Sequence, residues 1–448
     1  MRPGTGSFHR GRIACLLAAA AVVAGGDVLA QESGTRPQRP NRAIFGGGRG
    51  DATQSLIFSA GLGLGRDYLR ASAPIDSAPL PDRVTDFANG SAGLAYSLAV
   101  TKVSFGASVS SSARYMPDLD NGVISSHGAA VNGSVQVSQR TTVSGDYALN
   151  FQPLSASSLF PGLFQADGAP PLPTDYDLGA SAENYLSDSG SAQVSHSLTK
   201  RTGLSFGYTY SHSKATGQLY SQRSAGVSGG VSHALGKGLG LRLGYGRRIG
   251  QYGNAAPGAA GTVRQHTIDA GVNFSRALSF SRQTVLSFST GSGVFSDGVG
   301  QRYDLTGGAT LSHQWGRSWS TGVAYARQMG FIDALIQPTF ADSLSASLTG
   351  LLSRRFSLDA GGGVSDGTIG LTGNTNGYRA YRGTVGLTTG ITSAVGVRVD
   401  YVYYTYRFDT TQFLPTALGR NIRRQSVQVS LDFSAPLIYR GRSANAAR

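Results

Sequence analysis

A single cysteine, Cys15, leaves the chain without a partner for a disulfide and without the Cys/His spacing of a zinc site. Charge is scarce too: Asp, Glu, Lys and Arg make up 14% of the 448 residues. Disorder does not explain this thin charge, because Tyr and Phe are plentiful and regularly spaced. Beyond the N-terminus there is no apolar run of about 20 residues, so no helix is expected to span a membrane. Lysine is nearly absent, occurring only at Lys102, Lys200, Lys214 and Lys237, so the formal charge of +14 is carried by arginine. What the chain has in excess is glycine, at 63 residues, with much Ser and Thr.

The N-terminus reads as an export signal over residues 1–30. Arg2, Arg10 and Arg12 precede the apolar stretch "ACLLAAAAVVAGG", and "VLA" at 28–30 supplies small residues before Gln31. Cys15 opens the apolar stretch rather than closing it, which argues against a lipoprotein signal and removes the only thiol with the leader. Residues 31–52 are rich in Pro, Gly and Arg and read as a flexible periplasmic N-terminal arm, too short for a plug domain.

From 53 to 435 one unit recurs: about ten alternating residues, then a break. In "LSFGYTYS" (204–211), Leu204, Phe206, Tyr208 and Tyr210 share one parity, and Ser205, Gly207, Thr209 and Ser211 the other. Val395, Val397, Val399, Tyr401 and Tyr403 alternate in the same way, as do Val427, Val429, Leu431 and Phe433. About eighteen such segments can be counted (16–20). The breaks alternate in length. Short ones read "TK" at 101, "QRT" at 139, "GKG" at 236 and "SRR" at 353. Long ones fall near 66–90, 115–126, 152–188, 214–222, 251–263, 295–301, 329–341, 366–377 and 409–422.

An even set of antiparallel strands, with tight turns at one end and long loops at the other, predicts an all-β, transmembrane, up-and-down barrel. The Leu/Phe/Tyr parity would face lipid, and the small polar parity a lumen too wide for side chains to fill. A Gly/Ser-rich soluble β-protein would explain the composition but not the alternation of loop lengths. The tail 436–448, "APLIYRGRSANAAR" from Ala435 onward, is expected to lie outside the barrel on the short-turn, periplasmic side.

The register assigns charges to the lumen: Arg114, Arg242, Arg248, Arg382, Arg398 and Arg424, with Asp146, Asp269, Asp304, Asp359, Asp400 and Asp432. They are candidate pore-lining groups, because fixed charges set ion preference in a pore. Cross-strand ion pairs that only stiffen the wall are the competing reading. The arginine excess fits carboxylate or phosphate recognition by the guanidinium fork, with codon bias as the alternative. On the outward parity, Trp315 and Trp319 lie near short turns, and Tyr115, Tyr147, Tyr210 and Tyr403 lie nearer long loops, as two aromatic girdles require. His196, His233 and His313 read as interfacial residues rather than catalytic or metal ligands. "GLGLGR" at 61–66 and "GKGLG" at 236–240 lack the spacing and the helix of a phosphate loop. No catalytic constellation stands out, so neither an enzyme nor a cofactor is expected.

The loop "QPLSASSLFPGLFQADGAPPLPTDYDLGASAENYLSD" at 152–188 is where the chain resembles the porin family of outer-membrane barrels, whose third long loop folds inward. The resemblance implies a constriction formed by Asp167, Asp175, Asp177 and Glu183 opposite wall arginines, and it is architectural, with no short motif matching residue by residue. Barrels that export acidic polysaccharides are similar in outline. The expected function is therefore an outer-membrane channel for small polar or anionic solutes. A polysaccharide conduit and a non-conducting surface barrel with adhesive loops are the alternatives. The expected partners are outer-membrane lipid and lipopolysaccharide, the barrel-assembly machinery and those solutes; a homo-oligomer stays open, and no nucleic acid is expected.

Overall fold

The computed structural model describes residues 52–71, 83–117, 122–153, 184–215, 221–253, 261–278, 281–296, 300–316, 318–330, 338–353, 355–371, 376–409 and 420–441. The expected signal at 1–30, and all but the last residue of the arm at 31–52, lie outside them, as do Asp167, Asp175, Asp177 and Glu183. The described residues form strands β1 (Ala52–Ala71), β2 (Arg83–Val100), β3 (Val103–Tyr115), β4 (Val123–Ser138), β5 (Thr141–Pro153) and β6 (Asn184–Ser197). They continue with β7 (Thr202–Ala215), β8 (Ser221–Gly236), β9 (Leu239–Gly253), β10 (Thr262–Leu278), β11 (Ser281–Ser296) and β12 (Gln301–Trp315). The last six are β13 (Trp319–Gly330), β14 (Thr339–Leu351), β15 (Phe356–Ile369), β16 (Asn376–Gly390), β17 (Val395–Phe408) and β18 (Asn421–Gly441).

All eighteen belong to one antiparallel sheet, and β1 pairs with both β2 and β18. The sheet is closed and has no free edge, as hydrocarbon demands of any spanning β structure. Connections at one end span two to four residues; those at the other run from four (297–300) to thirty (154–183). The expected fold class and strand number are the observed ones.

Two boundaries differ from expectation. The alternation predicts strands of about ten residues, yet they run from 12 in β13 to 21 in β18. The first long break, read as 66–90, narrows to 72–82 because β1 and β2 stay paired out to Leu69 and Arg83. Except in β18, most of the extra length lies toward the long connections, where backbone pairing continues but lipid no longer enforces alternation. The second difference is at the C-terminus. The expected tail begins inside β18, whose residues 436–441 pair with β1 back to Ala52. Pro436, which lacks an N–H, is accommodated where the register shifts between Leu56 and Ile57.

The two faces separate by parity. Leu62, Phe206 and Leu243 are more than 60% exposed on the outside, where lipid would cover them. Inside, hydroxyl pairs join neighbouring strands: Ser55 with Ser97 at 2.7 Å, Ser104 with Ser134 at 2.8 Å and Ser211 with Ser224 at 2.8 Å. Trp315, Trp319, Tyr115, Tyr147, Tyr210 and Tyr403 all lie on outward positions. Near the short turns, His196, His233 and His313 each hydrogen-bond a threonine directly opposite, Thr141, Thr202 and Thr284, at 2.9, 2.9 and 2.6 Å. The glycines of "GLGLGR" lie within β1, and those of "GKGLG" at the β8–β9 turn, where Gly238 has φ +79°.

The lumen is less uniform than Ser, Gly and Thr alone would make it. Toward the long connections the wall also holds buried apolar side chains: Tyr252, Val263, Phe295, Phe340 and Leu371 pack as one cluster, Phe340 from the parity of β14 that elsewhere faces outward. On β17, Val402, Tyr404, Tyr406 and Phe408 all turn inward. These positions lie beyond the apolar band, so inward apolar groups can pack on each other without competing for lipid.

Close packing on this side also constrains β1. A Cβ on Gly65 would lie 2.5 Å from the Val427 carbonyl oxygen and would overlap the Phe87 ring. Gly65→Ala is therefore expected to cost about 1–3 kcal/mol by overpacking, read as a lower temperature at which the barrel loses its compact, fast-migrating form on an SDS gel. An unchanged temperature would show that Phe87 yields freely.

Candidate functional site: the charged lumen wall

The ladder brings separated arginines together. On β16, β17 and β18, Arg382, Tyr404 and Arg424 lie on one rung, because Arg382 pairs with Tyr404 and Tyr404 with Arg424. Asp67 of β1 accepts from Arg424 (Nη2–Oδ2 2.7 Å) and from Arg114 of β3 (Nη1–Oδ2 3.0 Å). Both guanidinium groups are only 2% exposed. Each also meets an aromatic face: Arg114 Cζ sits 3.8 Å from the Phe87 ring centre, and Arg424 Cζ 6.0 Å from that of Tyr404. On this wall two buried arginines share one carboxylate, and Arg382 lies two strands beyond Arg424 on its rung, nearer the long connections.

Around the rest of the lumen, arginines are held by mixed partners. Arg242 donates to Asp269 (2.8 Å), Asn273 (2.9 Å) and the Thr290 carbonyl (3.1 Å). That carbonyl lies at the β10–β11 irregularity between Ile268 and Asn273, so the guanidinium serves a backbone group there. Arg248 is held by Ser224 (2.7 Å) and Ser211 (3.3 Å). Arg302 donates to Thr368 (2.9 Å), pairs with Asp304 (3.3 Å) and lies 3.7 Å from the Phe340 ring centre. Asp146 accepts from Ser191 at 3.0 Å.

A second group lies closer to the short turns. Arg398 Nε contacts both oxygens of Asp400 at 2.8 Å. Asp359, Gly386 and Asp400 share one rung of β15–β17, and Asp432 stands opposite Gly396. A Cβ on Gly386 would lie 2.8 Å from both Arg398 Nη2 and Asp400 Oδ1, so glycine leaves the room in which that pair sits. Here three carboxylates surround one arginine, the reverse of the Asp67 group.

The strand register puts all twelve of these charges on the parity opposite the exposed Leu, Phe and Tyr positions. The structure adds two. Asp67 escapes the sequence reading because it falls in the stretch taken as the start of a loop, and Arg302 because its strand carries only a weak apolar alternation. Strand length was the missing signal for Asp67; its position between Arg66 and Tyr68 gives no hint of burial.

Asp67 holds two buried cations, so it should be the most sensitive of these groups. Replacing it with Asn leaves both guanidinium groups without that carboxylate, a loss of about 3–5 kcal/mol for a broken buried pair. The expected outcome for Asp67→Asn is a clear fall in the barrel's unfolding temperature, larger than for Asp146→Asn, which accepts from the Ser191 hydroxyl. Equal falls would show that the shared carboxylate is not the main anchor.

No protein-family model matches the chain, and no curated protein matches it in sequence. Among solved structures it is similar to OpdO of Pseudomonas aeruginosa, at 13% identity and TM-score 0.42, over 86% of this chain and 98% of that one. OccK2 (OpdF) of Pseudomonas aeruginosa, solved in complex with glucuronate, is 13% identical with TM-score 0.41, over 85% of this chain and 98% of that one. The siderophore receptor PirA of Pseudomonas aeruginosa is 9% identical with TM-score 0.42, over 86% of this chain and 81% of that one. Likeness of this order carries no argument about activity; the closed eighteen-stranded barrel stands on its own strand pairing.

Proposed function

We propose that the chain is an outer-membrane channel through which small polar or anionic solutes diffuse down their gradients. The observation that carries this is the pair of lumen arginines, Arg114 and Arg424, held on one carboxylate, Asp67, at the long-connection end, with Arg382 on the rung of Arg424 beside them. A local excess of fixed positive charge raises anion concentration where solutes enter. The guanidinium fork suits carboxylate-bearing solutes in particular. Asp359, Asp400 and Asp432, near the other end, would then disfavour anions lingering beyond the arginines, so that binding does not become a trap. Ser and Thr along the wall supply donors and acceptors in place of bulk water.

A second reading is favoured by the inward aromatic ladder Tyr404, Tyr406 and Phe408. Tyr406 and Phe408 stand 5.2 Å apart between ring centres, and Tyr378 lies 6.1 Å from Phe408. Ring faces beside arginines suit acidic sugars, which keeps the acidic-polysaccharide conduit as the runner-up.

Planar-bilayer recording tests the first reading. Purified protein should conduct, and a KCl gradient should give a reversal potential of anion preference that moves toward zero in Arg248→Gln and Arg382→Gln. Absence of any current would sink the channel. Oligomeric uronate that blocks current from the long-connection side, where the monomer does not, would favour the conduit.

A further inference from the structure

The outer face carries a second arginine cluster that the lumen reading does not use. At the long-connection end, outward charges follow one rung across five strands: Arg327, Asp342, Asp366, Arg379 and Arg407. The first four meet in pairs, with Arg379 Nε 2.6 Å from Asp366 and Arg327 3.8 Å from Asp342, although Arg327 lies closer, at 2.9 Å, to Asp304 of β12. The pattern then turns to one sign. Arg407 of β17 stands directly opposite Arg379 of β16, and Arg423 of β18 directly opposite Arg70 of β1. Arg423 is two residues along the same face from Asn421, the partner of Arg407.

Four exposed arginines therefore adjoin on β16, β17, β18 and β1. Directly opposite residues on adjacent strands hold their Cβ atoms about 5 Å apart, and like charges so placed destabilise the sheet. Among the described residues, neither Arg407 nor Arg423 is paired with a carboxylate. Immediately inside this patch lies an outward aromatic row, with Tyr403 and Tyr68 on the rung of Gln425 and Tyr381 on the rung of Thr405. Arg423 Cζ lies 5.6 Å from the Tyr403 ring centre. Aromatic rings of this kind mark the membrane interface, so the arginines stand at headgroup height rather than in hydrocarbon or free solvent.

We propose that Arg407 and Arg423, flanked by Arg70 and Arg379, form a binding site for a phosphorylated lipid headgroup of the outer leaflet. Phosphate oxygens would accept bidentate hydrogen bonds from the guanidinium forks and relieve the like-charge contacts, while the acyl chains lie along Tyr403, Tyr401 and Val399. The proposal rests on the outer-membrane reading above. Its test needs no ion current, so the failure of one is distinguishable from the failure of the other.

The folded protein in detergent is titrated with bis-phosphorylated lipid A or with the same lipid dephosphorylated, and adducts are counted by native mass spectrometry. The wild type should retain the phosphorylated lipid about tenfold better, and Arg407→Gln/Arg423→Gln should lose that preference. Arg276→Gln, an exposed arginine near the short connections, should keep it. If the double variant does not fold, the two single variants are measured instead, and each should show a reduced preference. Equal retention of both lipids, or an unchanged preference without Arg407 and Arg423, overturns the site. Abolition of the preference by inorganic phosphate alone marks a free-anion site and overturns the lipid assignment.

Discussion

Every other feature of the molecule depends on closure of the β1–β18 seam. In hydrocarbon an unpaired peptide group costs several kcal/mol, so each strand must have two neighbours. β18 meets that demand by running on to Gly441 against Ala52, past a proline that interrupts its donors. Closure fixes parity as well, because a slip of one residue anywhere would send serines to lipid and leucines to the lumen. The register departs from regularity at few places. The departure between Ile268 and Asn273 is filled by side chains: Thr290 accepts from the Val272 N–H through its hydroxyl and from Arg242 through its carbonyl. Gly271 belongs to the same adjustment, since any Cβ there would overlap the Thr290 carbonyl.

Parity and height together sort the charge. The lumen holds arginines and aspartates in nearly equal number but not evenly mixed. Arginines gather around Asp67 toward one end, and carboxylates around Arg398 toward the other. Outward charge is kept to the strand ends, as with Arg66 and Asp86, whose pair at 2.6 Å is exposed and weak. The same backbone thus presents two electrostatic surfaces, one to a water column and one to the rim of a membrane, and neither interrupts the apolar band.

What could be read from the chain, and what could not, follows from where lipid acts. Between the girdles lipid enforces alternation, and there the strands, their number and the inward charges are legible, as in Leu204–Ser211. Beyond the girdles the constraint lapses. Asp67 and Arg83 look like loop residues yet belong to paired strand. β17 shows the other difficulty. Tyr401 and Tyr403 face out while Tyr404, Tyr406 and Phe408 face in, so both parities are aromatic and the period fades where the lumen is most tightly packed. The acidic residues of the 152–188 loop, to which the porin resemblance gives a constricting role, lie outside the described residues.

The preference for arginine over lysine has a structural reason beyond charge. In the lumen the same side chain meets a ring and a polar partner at once, and on the outer face it meets a ring. Arg114 covers Phe87 while donating to Asp67, and Arg302 covers Phe340 while donating to Thr368. Outside, Arg223 lies 5.5 Å from the Tyr210 ring centre, and Arg423 is similarly placed over Tyr403. A planar guanidinium can stack through its face and donate through its edge, whereas an ammonium is a compact, strongly hydrated point charge. In a barrel rich in tyrosine at its girdles and upper lumen, arginine can be held against the wall without being neutralised. Charge held in that way is fixed in position, which both a selective pore and a headgroup site require.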